Sequence, residues 1–529
     1  MPASVPPEPD LTQTDISQLS PALPEPLPPE PIPDGLAART ARGAGWLIAW
    51  QMATRLLGLA STLILARLLI PADFGLVAMA ATFTAAVNSL SNLGVADAVV
   101  RRPDTGTAWF DTAFTMQFLR GTATAAIIAT GAPFATNWFG EPRLVTVLLI
   151  LAGTALVGAV ENIGLLEYRR TMRFDMEFKL LLLPRLLQFT TTTILAFTLS
   201  DYRALIAGTV VGSIVRTILS YRLHPYRAWF SLRYWRELLG FSTWTWAASL
   251  ANLSWERGDS VILGRALSPA ALGIYLFSAE IATLPVTELV GPAMRSLYSG
   301  LSLARHRGDK VSSIVPEVVL TLLTLVIPIS IGISATSGHI VTGLLGPKWE
   351  AARPMISAFA WIGCISPIAW VTSSVLVAQG EVRRNFNATA LASIARYVVL
   401  IPVVWAGGAG WAPWLAVSAV AVEVTLFIWQ LGKVEQLEWH RHVGAASRLT
   451  LAALVLLVVL WLSDLGWQAE PGPALLVLTE GLALGLAGMA VFWAVQGGLW
   501  LQAGRPAGPE QRIVDLGRPV LQRLYRLVA

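Results

Sequence analysis

The chain has 529 residues, of which 54% are apolar and only 13% charged, and its mean hydropathy is +0.60. A soluble globular domain carries roughly 25% charged residues, so these figures exclude a soluble enzyme and a disordered protein and point to an integral membrane protein. Formal net charge is +5, from 38 basic and 33 acidic side chains; in a membrane protein the placement of those charges matters more than their sum.

Residues 1–34 hold eleven prolines and six acids with no Lys or Arg. A secretory signal has a basic start and an apolar core, the reverse of this composition. The segment reads as a disordered, acidic, polyproline-biased cytoplasmic tail over residues 1–40. Fourteen hydrophobic segments follow, near 44–66, 72–98, 110–134, 144–165, 180–199, 203–221, 238–262, 270–297, 312–336, 354–378, 385–407, 411–432, 446–463 and 474–500. A bilayer-spanning helix needs about 20 apolar residues. Runs such as LLILAGTALVGAV and LAALVLLVVLWL are apolar on every side, unlike barrel strands, which alternate in polarity. Breakers separate the spans, among them Ile70-Pro71-Ala72-Asp73 and Pro471-Gly472-Pro473. Residues 503–529 form a cytoplasmic tail. From Pro519 it places Leu521, Leu524, Tyr525 and Val528 at helical spacing, as in a short amphipathic anchor.

Basic residues orient the spans. With the N-terminus cytoplasmic, 25 of the 38 fall in inside segments, six in outside segments (Arg67, Arg143, Arg203, Arg265, Lys348 and Arg353) and seven within spans. This bias obeys the positive-inside rule at every inside loop, and puts both termini in the cytoplasm. Tryptophans near span ends (Trp46, Trp138, Trp349, Trp411, Trp461, Trp467 and Trp500) read as an interfacial belt. The single cysteine, Cys364, permits no internal disulfide.

Residues 64–75 read ILARLLIPADFG and residues 262–273 read ILGRALSPAALG, with seven of twelve positions identical at an offset of 198. The shared residues include Arg67/Arg265, Pro71/Pro269 and Gly75/Gly273. Six spans separate the copies, so both have the same orientation. The expected fold is an all-α membrane protein of about fourteen transmembrane helices. It divides into an N-lobe (residues 41–222, helices 1–6), a pseudo-symmetric C-lobe (223–437, helices 7–12) and two extra helices (438–502). In transporters built from such repeats the substrate path lies at the repeat interface.

Several stretches carry a family likeness: GLASTLILARLLIPADFGLVAMA, EYRRTMRF, RGDSVILGRALSPAALGIY and LLGPKW. Together they resemble the polysaccharide-transport (PST, Wzx-like) oligosaccharide flippases of the multidrug/oligosaccharidyl-lipid/polysaccharide (MOP) exporter superfamily, over roughly residues 40–430. The resemblance implies a V-shaped pair of bundles in the bacterial inner membrane. These alternate access to a central cavity and translocate an undecaprenyl-pyrophosphate-linked oligosaccharide for exopolysaccharide or lipopolysaccharide assembly. The alternatives are a multidrug or metabolite exporter on the same scaffold and a membrane glycosyltransferase or polysaccharide polymerase. The second is disfavoured by loops of about 20 residues or shorter. No GxxxxGK[ST] loop or HExxH motif is present, so neither a bound nucleotide nor a metal is expected. The partners expected are the lipid-linked oligosaccharide, membrane lipids, and the polymerase and glycosyltransferases of the same pathway. Nucleic acid is not among them, and the chain is expected to be a monomer.

A charge at the bilayer centre costs about 2.5–3.5 kcal/mol on insertion scales and therefore needs a partner, a wet cavity or a snorkelling route. Arg55 and Arg257, on the first helix of each lobe, lead the candidates for binding the substrate pyrophosphate, followed by Arg216 and Arg396. Guanidinium forks match phosphate oxygens. Arg185 and Arg295 read as snorkelling. Asp259 and Glu256 are candidates for coupling transport to a proton or Na⁺, the alternative for Asp259 being a salt bridge to Arg257 or to the other lobe. Arg67, Pro71, Gly75, Arg265, Pro269 and Gly273 read as structural corners. Gly208 with Gly212, and Gly481 with Gly485, read as intramolecular packing motifs.

Overall fold

The computed structural model describes residues 54, 57–58, 60–91, 107–170, 174–238, 243–307, 311–463, 467, 469, 472–506 and 508–515. Arg55, the acidic tail and the amphipathic stretch from Pro519 lie outside the described residues.

Helices follow one another in the expected order. In the N-terminal half they are α1 (residues 60–68), α2 (Pro71–Ser91), α3 (Thr107–Phe139), α4 (Leu144–Ala159), α5 (Phe174–Leu199) and α6 (Arg203–Leu223). In the second half they are α7 (Thr243–Ala266), α8 (Pro269–Arg307), α9 (Val311–Ala335), α10 (Ala352–Ala378), α11 (Val382–Trp405) and α12 (Ala412–Gly432). The last two are α13 (Val443–Leu462) and α14 (Ala474–Gln502). Among the described residues, ten helices are long and apolar enough to cross a membrane. That is four fewer than the fourteen segments read from sequence. Of the other four, α4 is shorter, α1 is described only in part, and α3 and α7 carry more polar side chains. The chain is a multi-pass, all-helical membrane protein.

The sequence repeat is a structural repeat. α1 runs to residue 68 and α2 starts at Pro71; α7 ends at Ala266 and α8 starts at Pro269. Both boundaries are related by the same offset of 198 as the sequence repeat. Each corner starts its second helix with proline, whose missing N–H costs nothing at the first helical position. The remaining start signals differ. Asp73 reaches back to the Ile70 amide at 3.4 Å, whereas the Ser268 hydroxyl accepts from the Ala271 amide at 3.3 Å.

α1–α6 and α7–α12 form two bundles. In the first, α5 packs along α6 and α3 along α4; in the second, α10 is surrounded by α8, α9 and α12, while α11 packs on α7 and α12. α13 and α14 pack together against α9. Gly208 permits the close α5–α6 approach, since a Cβ there would overlap the Thr192 hydroxyl. Gly481 packs against His339, whereas Gly485 faces open space.

The bundles meet through α2 against α8 and α7, and α3 against α7. An apolar core runs through this junction, including Leu76, Met79, Leu263, Leu272, Tyr275, Trp349 and Phe359. A second core fills the C-lobe and continues into α13 and α14, from Val290, Val319 and Val375 to Leu456 and Phe492.

Candidate functional site

The two repeated corners pack on each other. A Cβ on Gly75 would overlap the Pro269 carbonyl, and a Cβ on Gly273 would overlap the Pro71 carbonyl. This reciprocal contact is what a pseudo-twofold axis between the lobes requires. It also explains why glycine stands at both positions: only glycine allows backbone to approach backbone this closely. The arginines break the symmetry. Arg67 donates through Nε to the Leu344 carbonyl at 2.7 Å and through Nη2 to the Gly343 carbonyl, tying the N-lobe corner to the C-lobe. Arg265, its repeat partner, stays exposed.

Next to this latch, Trp349 is fully buried, and its indole N–H donates to the Ala66 carbonyl at 2.8 Å. Its ring lies 5.3 Å from Phe74 and 4.3 Å from Phe277. Trp349 is therefore a clamp between lobes rather than an interfacial anchor, correcting the sequence expectation. Trp138, Trp411 and Trp461 remain exposed.

A buried polar cluster lies inside the C-lobe. Asp259 of α7 pairs with Arg396 of α11, with both side chains nearly inaccessible. The Tyr275 hydroxyl donates to Asp259 at 2.8 Å. Arg396 also donates to the Trp255 carbonyl at 3.2 Å and lies over the Trp255 ring. Glu423 of α12 is buried within electrostatic reach of Arg396. Asp259 thus pairs with neither Arg257 nor the other lobe. Gly258 provides the space in which the Tyr397 hydroxyl reaches the Ser254 carbonyl. Glu256 and Arg257 are exposed on the same helix, and Glu280 of α8 lies within electrostatic reach of Arg257.

Each lobe holds a polar cavity: one of about 690 Å³ lies beside α11 and α12 of the C-lobe, lined by Arg383, Arg384, Trp429 and Lys433 among others, and the other lies in the N-lobe. Five of the N-lobe's helices, α2 to α6, together with Thr54 and Glu161, line its cavity of about 650 Å³, to which Arg120, Arg185, Arg216, Gln117 and Gln188 contribute. Arg216 donates through Nε to Glu161 at 3.0 Å. The Glu161 backbone is itself held, because the Gln117 amide donates to its carbonyl at 2.9 Å. A smaller space of about 260 Å³ shares Gln117, Arg120, Glu161 and Arg216 and extends to Asn162 and Tyr168, at the end of the lobe away from the corners.

That end is braced by residues 224–231. The Asn162 side chain accepts from the Gly164 amide at 2.9 Å and donates to the Tyr226 carbonyl at 2.8 Å. The Tyr226 hydroxyl donates to Asp111, which also accepts from the Trp229 amide at 3.0 Å. Burial, then the neighbouring Asp111 carboxylate, raises the Tyr226 hydroxyl pKa above the usual tyrosine range, so it remains a donor.

The sequence candidates thus fall in three places. Arg216 lines the N-lobe cavity, Arg396 is inside the C-lobe cluster with Asp259, and Arg257 is on the exposed face of α7. Arg185, expected to snorkel, lines the cavity instead. Arg120 and Gln188 also line it. The only sequence signal for them was polarity inside an apolar run.

A family model described as "Polysaccharide biosynthesis protein" matches residues 64–354, from the first corner through the loop that carries Trp349. The chain belongs to that family. Among its relatives, the succinoglycan biosynthesis transport protein ExoT of Rhizobium meliloti is 24% identical over 471 residues, 85% of this chain and 91% of that protein. The lipopolysaccharide biosynthesis protein WzxC of Escherichia coli is 22% identical over 381 residues, 70% of this chain and 76% of the relative. The teichuronic acid biosynthesis protein TuaB of Bacillus subtilis is 21% identical over 295 residues, 55% of this chain, and the chain spans 61% of its length. Among solved structures, the lipid II flippase MurJ in an inward closed conformation superposes with a TM-score of 0.66 at 15% identity, covering 84% of this chain and 99% of MurJ. An inward-facing multidrug resistance MATE family transporter gives 0.56 at 13% identity, covering 72% and 94%. The family model establishes the family, and the likeness to these two solved structures establishes the fold.

Proposed function

We propose that the protein carries an undecaprenyl-pyrophosphate-linked oligosaccharide across the cytoplasmic membrane by alternating access between its two lobes. One observation carries this reading: duplicated lobes are sealed on each other at their repeated corners, while a basic cavity extends toward the opposite end. The names of the relatives supply the substrate class, as biosynthesis and transport proteins for succinoglycan and lipopolysaccharide. The excess of basic residues in the loops opposite the corners supports a cytoplasmic position for that end. In this reading the corners close the outer side and the cavity faces the leaflet where the lipid-linked saccharide is made. The work is positional and no covalent bond changes. One chain supplies both lobes, so a monomer is sufficient.

Charge separates this reading from drug export on the same scaffold. A pocket for organic cations needs carboxylates and aromatic faces; this cavity has three guanidiniums and one carboxylate. Asp259, a candidate for ion coupling, is neutralised by Arg396 in this state, so a coupling proton or Na⁺ would have to compete with that pair. The test is deletion of the gene in a strain with no second copy. Undecaprenyl-linked repeat units should then accumulate on the cytoplasmic face of the membrane. Undiminished outward translocation in that strain would overturn the proposal.

A further inference from the structure

We propose that the end of α11 and α12 away from the corners is a binding site for an anionic phospholipid of the surrounding bilayer. Arg383, Arg384 and Lys433 hold its phosphate, and its acyl chains lie along an exposed apolar stripe that continues down α11. This lipid is distinct from the transported cargo.

α10 begins at Ala352, next to Trp349 and the corners, and ends at Ala378 on the far side of the lobe. α11 starts there at Val382, and α12 returns there at Gly432. The transport reading places this end in the cytoplasm. The pocket of about 690 Å³ at this end sets three cations, Arg383, Arg384 and Lys433, against one carboxylate, Glu381. Arg384 already engages that carboxylate at 3.0 Å. The Lys433 ammonium sits 3.3 Å from the centre of the Trp429 ring, which steadies the charge beside an exposed aromatic. Asn387 and Gln430 add amide donors. Two arginines in the first turn of α11 oppose the helix dipole. An anion between them turns that cost into a gain, and basic pockets between helices at the cytoplasmic surface suit phosphate head groups.

The pocket is the polar head of a longer surface. Arg383, Asn387, Leu391, Ile394 and Val398 recur at helical spacing on one face of α11. Leu391, Ile394 and Val398 are exposed, whereas Asn385 and Arg396, on the opposite face, bond into the lobe. Lys433, Trp429 and Val422 repeat the order on α12, which packs along α11 in the opposite direction. Both helices thus run from charge, through an amide or indole, to bare hydrocarbon. That is the profile of a phospholipid from phosphate to chain, with tryptophan at the interfacial level where it is enriched in membrane proteins. A soluble anion would leave the apolar end of this surface uncovered.

The duplication does not account for the pocket. α5 holds the place in the N-lobe that α11 holds in the C-lobe, yet it starts FDMEFK, with two acids before its first base. α11 starts VRRN. The positive-inside bias would be met by basic residues anywhere in the loop; here they are gathered at the junction of two helices, directly above an apolar stripe.

The probe is phosphatidylglycerol with brominated acyl chains, mixed at increasing fractions into phosphatidylcholine nanodiscs that hold the full chain. Ile394→Cys, in a background with Cys364→Ala, carries a fluorophore at acyl depth that bromine quenches on contact. Quenching should saturate at a phosphatidylglycerol fraction several-fold below the fraction of brominated phosphatidylcholine that gives the same effect. Each cation near the membrane surface contributes roughly fivefold, so Arg383→Gln with Lys433→Gln should erase the preference. Arg233→Gln with Arg236→Gln removes the same charge from the segment before α7 and should leave the preference intact. Millimolar glycerol 3-phosphate should not relieve the quenching. Equal quenching by the two lipids with the pocket intact, or an equal loss from the Arg233 and Arg236 pair, overturns the proposal. Relief by glycerol 3-phosphate also overturns it, by assigning the pocket to a soluble anion. These outcomes are distinct from failure of the transport reading, which is decided by translocation in the deletion strain.

Discussion

Arg396 and Asp259 are 137 positions apart and form, among the described residues, the most thoroughly buried ion pair within either bundle, with side-chain exposures of 12% and 8%. Breaking such a pair from one side leaves an uncompensated buried charge, which costs about 3–5 kcal/mol. Arg396→Met should therefore lower the thermal denaturation temperature of the solubilised protein sharply. Arg396→Met combined with Asp259→Asn should recover most of the loss, because the orphaned charge is gone. A single variant as stable as wild type, or a double variant no better than the single one, would contradict this account. The sequence gives half of this result. A charge inside an apolar run needs a partner, so both residues stand out, but nothing in one-dimensional spacing says that α7 faces α11. Trp349 illustrates the opposite error. Its place at a span end suits an interfacial anchor, and only the three-dimensional seam reveals that its N–H belongs to the Ala66 carbonyl.

At the scale of elements, hydrophobic runs locate helices well because in lipid each backbone group must be satisfied within its own helix. What the runs do not disclose is how α13 and α14 attach. The described part of the C-terminal tail does this. Glu510, 5% exposed at its side chain, accepts from Arg448 of α13 at 2.8 Å and from Gln496 of α14 at 3.0 Å. Two residues on, Arg512 pairs with Glu317 of α9. The short helix at residues 509–515 thus pins three helix ends together. Glu510→Ala leaves Arg448 and Gln496 without their acceptor, and an unsatisfied group costs about 1–3 kcal/mol or more for a charge. Hydrogen exchange should rise at the adjoining ends of α13 and α14 while α2 and α8 keep their protection. Uniform exchange across all four helices would rule out a local pin.

For the whole molecule, alternating access requires the corner seam to part. Its contacts suit a gate that closes tightly but is built from few elements. Backbone meets backbone at Gly75 and Gly273, Arg67 caps two carbonyls left by the π-helix Ile340–Leu345, and three aromatic rings fill the gap between lobes. The duplicated block made the corner legible in the sequence, but not that each copy docks on the other. That follows from the twofold relation of the lobes and not from either copy alone. If the seam is the gate, holding it shut stops transport without touching the cavity. Arg67→Cys with Leu344→Cys, in a background where Cys364 is Ala, places two thiols across the latch. A short, cleavable bifunctional thiol reagent should then abolish translocation of the lipid-linked saccharide in reconstituted vesicles, and cleaving the linker should restore it. Each single-cysteine variant should be indifferent to the reagent. Transport that continues through a fully cross-linked population would mean that the corners stay docked throughout the cycle, and the moving parts would have to be sought elsewhere.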